Sequence, residues 1–118
     1  MFFNKSFFAA LSTAMFIGSA SAATGTASVG FVGTTNCGCP ATNGPFAVSI
    51  PTALAGTHVC CQDTIIVTYN GKNVTAIFNG IFDNGAGTQN IQLSQIAFDQ
   101  IKDNASQTSV SPVTWAFQ

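Results

Sequence analysis

The chain has 118 residues, of which 47% are hydrophobic and only 6% are charged, and its formal net charge is -1. An average soluble chain carries about 25% charged residues. So low a charge excludes a charged disordered tail, a coiled coil and a basic nucleic-acid binder. The chain is therefore either partly membrane-bound or packed around an unusually apolar core.

The N-terminus predicts a secretory signal peptide. Lys5 precedes an almost wholly apolar run from Phe7 to Gly18, and Ala20-Ser21-Ala22 supplies the small residues that cleavage requires. A basic start, an apolar middle and a small-residue exit are typical of a removable leader. A membrane anchor is the alternative, but a span needs about 20 apolar residues and this run is shorter. We expect residues 1–22 to be removed and residues 23–118 to form one domain.

Two strands are predicted after the leader, at Thr26–Val32 and at Phe46–Ile50. The Gly- and Asn-rich segment from Gly33 to Pro45 separates them. Pro51 should end the second strand because proline cannot donate a hydrogen bond to a strand ladder.

Four cysteines, Cys37, Cys39, Cys60 and Cys61, should be oxidised in a secreted chain. Bridges within either close pair are disfavoured by geometry. Two pairings remain open, Cys37–Cys60 with Cys39–Cys61 or Cys37–Cys61 with Cys39–Cys60, and each bridge would contribute roughly 3 kcal/mol. A thiolate metal site is the alternative, but His58 is the single histidine of the chain, which makes structural disulfides the better interpretation. We expect no metal and no cofactor.

The segment Thr64–Phe78 predicts a β-hairpin. It is rich in β-forming residues on both sides of Asn70-Gly71. That pair tolerates positive φ at both centres of a type I′ turn, the usual connection of a tight hairpin.

One short helix is predicted to start at Ser94, whose hydroxyl can cap the free amides of the first turn. Leu93 and Phe98 stand at the spacing of a hydrophobic staple. The remaining apolar positions of this helix are Ile96, Ala97 and Ile101. We expect the helix to end at Asn104.

The last segment predicts a closing strand, in which Val113, Trp115 and Phe117 alternate with Thr114 and Ala116. The whole order of elements predicts a mainly β fold in the form of a small closed barrel, since closure hides the edges of a sheet.

Five blocks of sequence occur in an order that resembles a known superfamily. They are Gly25-Thr26-Ala27-Ser28 with a following Asn-Cys-Gly, Phe46-Ala47-Val48-Ser49, a Cys before the hairpin with Tyr69-Asn70-Gly71-Lys72-Asn73-Val74, Ile91-Gln92-Leu93-Ser94 running into Ala97-Phe98, and Val113-Thr114-Trp115-Ala116-Phe117. Together they resemble the double-psi β-barrel superfamily of rare lipoprotein A, barwin and the expansins, and especially its short secreted fungal members. The resemblance implies a six-stranded double-psi β-barrel with one or two short helices, stapled by disulfides.

What the resemblance implies for function depends on one loop. The superfamily includes lytic transglycosylases and endoglucanases that use an Asp as acid, expansins that loosen polysaccharide without hydrolysis, plant defence proteins and inhibitors of cysteine proteases. In many fungal relatives the loop before the helix reads Asp-x-Cys-Pro-Gly-Cys, and its Asp aligns with the catalytic acid. Counting back from Ile91 places that acid position at Ile81, and only a two-residue shift would make it Asp83. Both loop cysteines are missing here.

The scarcity of carboxylates argues against an enzyme. Cleavage of a glycosidic bond generally takes two carboxyl groups, although a lytic transglycosylase can use one whose pKa is raised by burial. The chain has no Glu, and its acidic residues are Asp63, Asp83, Asp99 and Asp103. Only Asp83 is a plausible acid, and a turn-forming Asp is the more ordinary interpretation of it. His58 has no nucleophile motif nearby, which disfavours a Ser/His/Asp set.

The leading hypothesis is a secreted, non-catalytic protein, extracellular or at the cell wall, that binds polysaccharide along a groove of the barrel. Its candidate binding residues are Asp83 at the rim and the rings of Phe31, Phe46, Tyr69 and Phe82, although core packing is the default for each Phe. The alternative is a protease inhibitor or secreted effector that binds a protein partner through a flexible loop such as Gly80–Asn90. The third hypothesis is a residual lytic enzyme that depends on Asp83.

Two glycosylation sequons remain after the leader, Asn73-Val74-Thr75 and Asn104-Ala105-Ser106. Asn104, at the expected end of the helix, is the more accessible of the two. We further expect a monomer, with no nucleic-acid partner and no membrane contact after the leader is removed.

Overall fold

Within residues 22–83 and 88–118, the residues that the computed structural model describes, the chain forms seven strands, one α-helix and two 3-10 turns. The strands are β1 Ala23–Val29, β2 Thr34–Asn36, β3 Ala47–Pro51, β4 Thr64–Tyr69, β5 Lys72–Phe82, β6 Ile91–Leu93 and β7 Ser109–Phe117. The helix α1 spans Gln95–Asp99, and the 3-10 turns span Ala41–Asn43 and Thr52–Leu54. The predicted leader, apart from Ala22, lies outside the described residues.

Six of these strands close into a barrel. The order is β5-β3-β6-β1-β7-β4, and β4 returns to β5. The pairs β1–β6 and β3–β5 are parallel, and the other pairs of the ring are antiparallel. The predicted mainly β, closed six-stranded barrel is therefore confirmed.

The short strand β2 lies outside this ring, at one end of the barrel. It pairs with Gly80–Phe82 at the end of β5. The same edge of β5 pairs with β4 earlier along the strand, at Lys72–Ile77. In the part of the chain that the structure describes, β2 has no other strand neighbour.

The β4–β5 hairpin forms as the sequence predicts. Asn70 and Gly71 have φ values of 51° and 80°, and Tyr69 pairs with Lys72 across the turn. A left-handed backbone at both central residues matches the right-handed twist of the flanking strands. The turn chemistry thus fixes the register of the longest strand pair.

The core fills the barrel and the space beneath α1. Its largest fully buried side chains are Phe78, Phe98, Ile50, Ile65, Ile91, Leu93, Ile101, Val48, Val67 and Val113. Full burial of such a side chain stabilises the fold by about 1.5–3 kcal/mol. The alternating pattern of β4 and the spacing of Ala97, Phe98 and Ile101 in and just after α1 explain why these residues point inward.

The helix differs from its prediction in three respects. The Ser94 hydroxyl does not cap the helix; it accepts a hydrogen bond from the Ala47 amide (3.0 Å) and donates one to the Pro45 carbonyl (2.9 Å). The helix ends at Asp99 rather than at Asn104. Ile96 is 42% exposed and lies off the apolar face. Ser94 is drawn away from the helix amides because it joins α1 to the start of β3.

Several strand boundaries also differ, and β5 continues to Phe82, four residues beyond the predicted end of the hairpin. β1 ends at Val29, three residues early, because Gly30 adopts a φ of 88° and turns the chain. Pro51 is itself the last residue of β3, where it stands opposite Phe82, so the strand ends at the proline and not before it. β7 begins at Ser109, and its alternation breaks at Ala116, which is buried.

Candidate functional site

Two disulfides tie the long loop after β1 to the segment that precedes the hairpin. Cys37 pairs with Cys60 and Cys39 with Cys61, over Cα–Cα distances of 6.2 and 5.2 Å. Sequence reasoning left two pairings open, and the structure has this one. The bridges span 23 and 22 residues, so each lowers the entropy of the unfolded chain by an amount worth about 3 kcal/mol.

Backbone hydrogen bonds hold the bridged segments against β5. The Cys37 amide donates to the Asn79 carbonyl (2.8 Å), and the Cys61 amide donates to the Phe78 carbonyl (2.7 Å). The Asn43 side chain donates to the Cys61 carbonyl (2.9 Å). The long loop is therefore fixed at Cys37, Cys39 and Asn43.

The first part of this loop, Gly30–Asn36, which we call the covering loop, lies over β3 and β6. Gln92 holds it: its Nε2 donates to the Val32 carbonyl (2.9 Å), and its Oε1 accepts from Thr34 Oγ1 (2.5 Å). Gly80 permits the close approach, since a Cβ there would lie 2.5 Å from Ser49 Oγ and 2.7 Å from Thr34 Cγ2. The covering loop is thus seated against the barrel.

Sequence reasoning missed Val32 and Gln92. Val32 is 77% exposed, more than the other exposed large hydrophobic residues of the described ranges, Val59 (47%) and Ile96 (42%). The available signal was the segment Gly30-Phe31-Val32-Gly33, where two glycines enclose two apolar residues. The role of Gln92 depends on contacts 58 and 60 residues apart, which no local pattern reveals.

Asp83, the candidate acid, is exposed and directly follows the buried Phe82 at the end of β5. Asp63 lies opposite Phe78, whose amide donates to the Asp63 carbonyl, and Asp83 comes five positions after Phe78. That is about 16 Å along β5. Glycosidases hold their two carboxyl groups within about 5–10 Å. Among the described residues, these two carboxylates are therefore not arranged as such a pair.

The four candidate rings do not form a common exposed face in the described structure. Phe82 is buried, and Phe31 is half-buried in the covering loop. Phe46 and Tyr69 are partly buried and pack against the core. Tyr69 pairs with Lys72 at the start of β5, whereas Phe82 is the last residue of that strand, about 30 Å further along it.

The tyrosine belongs to a polar cluster that joins the hairpin to the segment after α1. Tyr69 donates to Asp103 Oδ2 (2.8 Å), while Lys72 donates to Asp103 Oδ1 (3.0 Å) and to the Lys102 carbonyl (2.8 Å). The Lys72 ammonium and then the Tyr69 hydroxyl lower the pKa of the Asp103 carboxyl. The same hydrogen bond to Asp103 raises the pKa of Tyr69.

His58 and Asp63 form a second polar contact. His58 Nδ1 lies 3.1 Å from Asp63 Oδ2, and the imidazole stacks on Phe117 with ring centroids 3.5 Å apart. Asp63 Oδ2 also accepts from the Val59 amide (2.8 Å), and this bond, followed by the one to His58, lowers the pKa of Asp63. Asp63 therefore closes the turn that precedes β4, since its own amide also donates to the Val59 carbonyl (3.0 Å).

A recess of about 290 Å³ opens beside this contact. It is lined by Ala22, Ala23, Leu54, His58, Gln89, Trp115, Ala116 and Phe117. The Trp115 indole N–H donates to the Gln89 carbonyl (2.8 Å). The recess therefore lies where the start of β1 meets the end of β7.

Both sequons have an exposed asparagine. Asn73 lies on β5, one residue after Lys72. Asn104 Oδ1 accepts hydrogen bonds from the Ser106 amide (3.1 Å) and hydroxyl (2.7 Å).

No three His, Cys, Asp or Glu side chains converge to hold a metal ion in residues 22–83 and 88–118. Over the same residues, no helix is long and apolar enough to cross a bilayer.

Comparison with known proteins gives a structural likeness and no sequence match. No protein-family model matches the chain, and no curated protein does. Among solved structures the chain is similar to the Streptomyces papain inhibitor, with a TM-score of 0.60 and 21% sequence identity. The match covers 82% of this chain and 94% of that one. The two chains share a fold.

Proposed function

We propose that this chain is a secreted, non-catalytic protein that binds a protein partner, and that it inhibits a papain-type cysteine protease. The supporting observation is the likeness to the Streptomyces papain inhibitor, which extends over 94% of that chain. A protein inhibitor gains affinity when its binding surface is rigid before it meets the protease. The closed barrel and the two disulfides supply that rigidity.

The arrangement of the carboxylates supports a non-catalytic role. Asp63, Asp99 and Asp103 each hold a hydrogen bond or an ion pair within the fold. Asp83 stands about 16 Å along β5 from the position that faces Asp63. The third hypothesis from the sequence, a lytic enzyme, would depend on Asp83 alone.

Secretion is part of the proposal. Disulfides persist in oxidising compartments such as the extracellular space. β1 begins at Ala23, the first residue of the expected mature chain, so cleavage after Ala22 would leave the barrel intact. We therefore propose a leader at residues 1–22, a barrel domain at 23–118 and an extracellular location.

Membership of the double-psi superfamily also belongs to the proposal. The two parallel pairings within an otherwise antiparallel ring, β1–β6 and β3–β5, support it. Polysaccharide binding, the leading hypothesis from the sequence, is the second function to test. The burial of Phe82 and the partial burial of Phe46 and Tyr69 make protein binding the better proposal.

N-glycosylation is proposed at Asn104 and Asn73 if the host is eukaryotic. Asn104 is exposed in a turn after α1, and Asn73 is exposed on a strand. Digestion with an N-glycosidase should lower the mass of the secreted protein. The mass removed by the N-glycosidase should decrease more in the Asn104→Gln variant than in the Asn73→Gln variant.

Titration of papain with the purified, oxidised protein tests the proposed function. Cleavage of a small peptide substrate should fall as the protein is added and reach zero near equal concentrations of the two. Trypsin, a serine protease, serves as the control and should keep its activity. Pull-down on chitin, cellulose and β-glucan tests the second function. Undiminished papain activity together with binding to one of these polysaccharides would reject the inhibitor proposal.

A further inference from the structure

The apex of the covering loop presents one apolar side chain to solvent. Val32 is 77% exposed, whereas most valines of the barrel are buried. Burial of an exposed apolar side chain in a complex is favourable, which makes Val32 a candidate contact for a partner. A β-branched side chain also has few rotamers, so little entropy is lost when a partner fixes it.

The backbone that carries Val32 is held in place. Gly30 and Gly33 have φ values of 88° and 67°, in the left-handed region that glycine adopts readily. The Gly30 amide donates to the Leu93 carbonyl (2.9 Å), and the Val32 carbonyl accepts from Gln92 Nε2 (2.9 Å). The turn on each side of Val32 is therefore fixed before any partner binds.

The absence of charged residues in this region indicates what kind of partner surface it can contact. No Asp, Glu, Lys, Arg or His occurs between Ala23 and Thr57, a segment that includes the whole covering loop. A partner that contacted this loop through charged groups would have to bury them without compensation. The surface that fits is neutral, with an apolar recess large enough for a valine.

We propose that Val32 is the residue that the protein inserts into an apolar recess of the protease's substrate-binding cleft. This inference rests on the proposed function and names the contact through which it acts. Transfer of one exposed valine into an apolar pocket strengthens binding by roughly tenfold. Because Gln92 and the two glycines already fix the loop, little of that gain is lost to ordering the backbone.

Inhibition of papain by four proteins tests the inference: the unaltered chain, Val32→Asp, Val32→Ile and Val59→Asp. Val59 is the matched control, since it is 47% exposed and lies beside Cys60, on the other side of the disulfide from the covering loop. Val32→Asp should raise the inhibition constant tenfold or more, because a carboxylate would enter the recess. Val32→Ile and Val59→Asp should change it by less than about threefold. All four proteins should unfold at about the same temperature.

The outcomes separate this inference from the proposed function. If the unaltered chain inhibits papain and Val32→Asp inhibits equally well, the role of Val32 is wrong and the inhibitor proposal stands. If Val59→Asp weakens inhibition more than Val32→Asp, the contact lies elsewhere and the inference is wrong. If the unaltered chain leaves papain fully active, both fail together. Should Val32→Asp not fold, Val32→Thr keeps the shape of the side chain, and full inhibition by that variant would overturn the inference.

Discussion

The two ends of the barrel are held by different forces. At the loop end, formed by Gly30–Pro45 and Cys60–Cys61, two disulfides and backbone hydrogen bonds fix the chain. At the hairpin end, formed by Tyr69–Lys72 and Lys102–Gln107, one carboxylate binds a lysine and a tyrosine. These bonds hold the loop end while its Val32 side chain remains exposed, whereas Asp103 and Lys72 at the hairpin end bind each other.

This difference reflects where the few charged residues of the chain, 6% of the total, form ion pairs. Three ion pairs occur among the described residues, His58–Asp63, Lys72–Asp103 and Lys102–Asp99. Each of them lies at a turn or beside the helix. The charges therefore position connections within the fold, and the covering loop is left neutral. Four changes test the comparison.

Removal of one disulfide should have the largest effect. Cys39→Ser with Cys61→Ser opens a link across 22 residues and should lower the free energy of unfolding by about 3 kcal/mol. Denaturant titration of oxidised protein measures this loss. Tyr69→Phe, at the hairpin end, is the control and should cost less. An equal loss for both would show that the two ends do not differ in how they are held.

Gly80, where the covering loop packs against the barrel, should be the next most sensitive position for stability. Gly80→Ala places a Cβ 2.5 Å from Ser49 Oγ and should cost about 1–3 kcal/mol through overpacking. Adding Ser49→Ala should recover part of this loss, since it removes the atom that the new Cβ would meet. Thermal unfolding of the two single variants and the double variant measures the coupling. Strict additivity would contradict the proposed contact.

Loss of the link between α1 and β3 should have a smaller effect. Ser94→Ala leaves the amide of the buried Ala47 without its acceptor and should cost about 1–2 kcal/mol. Ser109→Ala, at an exposed position at the start of β7, is the control and should change stability by less than about 0.5 kcal/mol. If the hydroxyl were only a helix cap, the Ser94→Asp variant would be about as stable as the unaltered chain. We expect this variant to be less stable.

The smallest effect should come from Asp103, and it should depend on pH. The pKa of Asp103 is lowered in the folded chain, so its ionised form stabilises the fold above the ordinary aspartate value of 3.8. This contribution disappears as the pH falls through the lower folded value. Asp103→Asn should therefore reduce the unfolding temperature at pH about 7 and have little effect at pH about 2.

Replacement of the lysine in the same cluster provides the control. Lys72→Met removes the hydrogen bond that contributes most to the lowered pKa of Asp103, so stability should depend less steeply on pH in this variant. An Asp103→Asn effect that is the same at both pH values would contradict the ionic role of this carboxylate.

Local patterns account for the parts of the fold that were predictable. Asn70-Gly71 carries its turn type in two residues, and alternation in β4 marks its inward face. Closure of the barrel followed from the number of strands and the need to protect their edges. Ser94 was misassigned because its sequence position fits a helix cap, while its actual partners, Pro45 and Ala47, lie 49 and 47 residues away.

The candidate site was less predictable, because it too depends on contacts between residues that lie far apart in the sequence. The sequence singled out aromatic rings, but it cannot distinguish a ring that binds a ligand from one that fills the core, as Phe82 does. The choice between two disulfide pairings also depends on how β2 and Cys37 pair alongside β5. Val32 was overlooked because its exposure results from Gln92 and the two flanking glycines together.

The way β1 is held has a consequence for proteolysis of the covering loop. Loop tips are where proteases nick folded proteins. If the chain were cut beside Val32, the upstream end would remain in β1, which is hydrogen-bonded to β6 on one edge and to β7 on the other. The downstream end would stay attached through Cys37. A single cut would therefore separate no fragment, and both new ends would remain attached to the barrel.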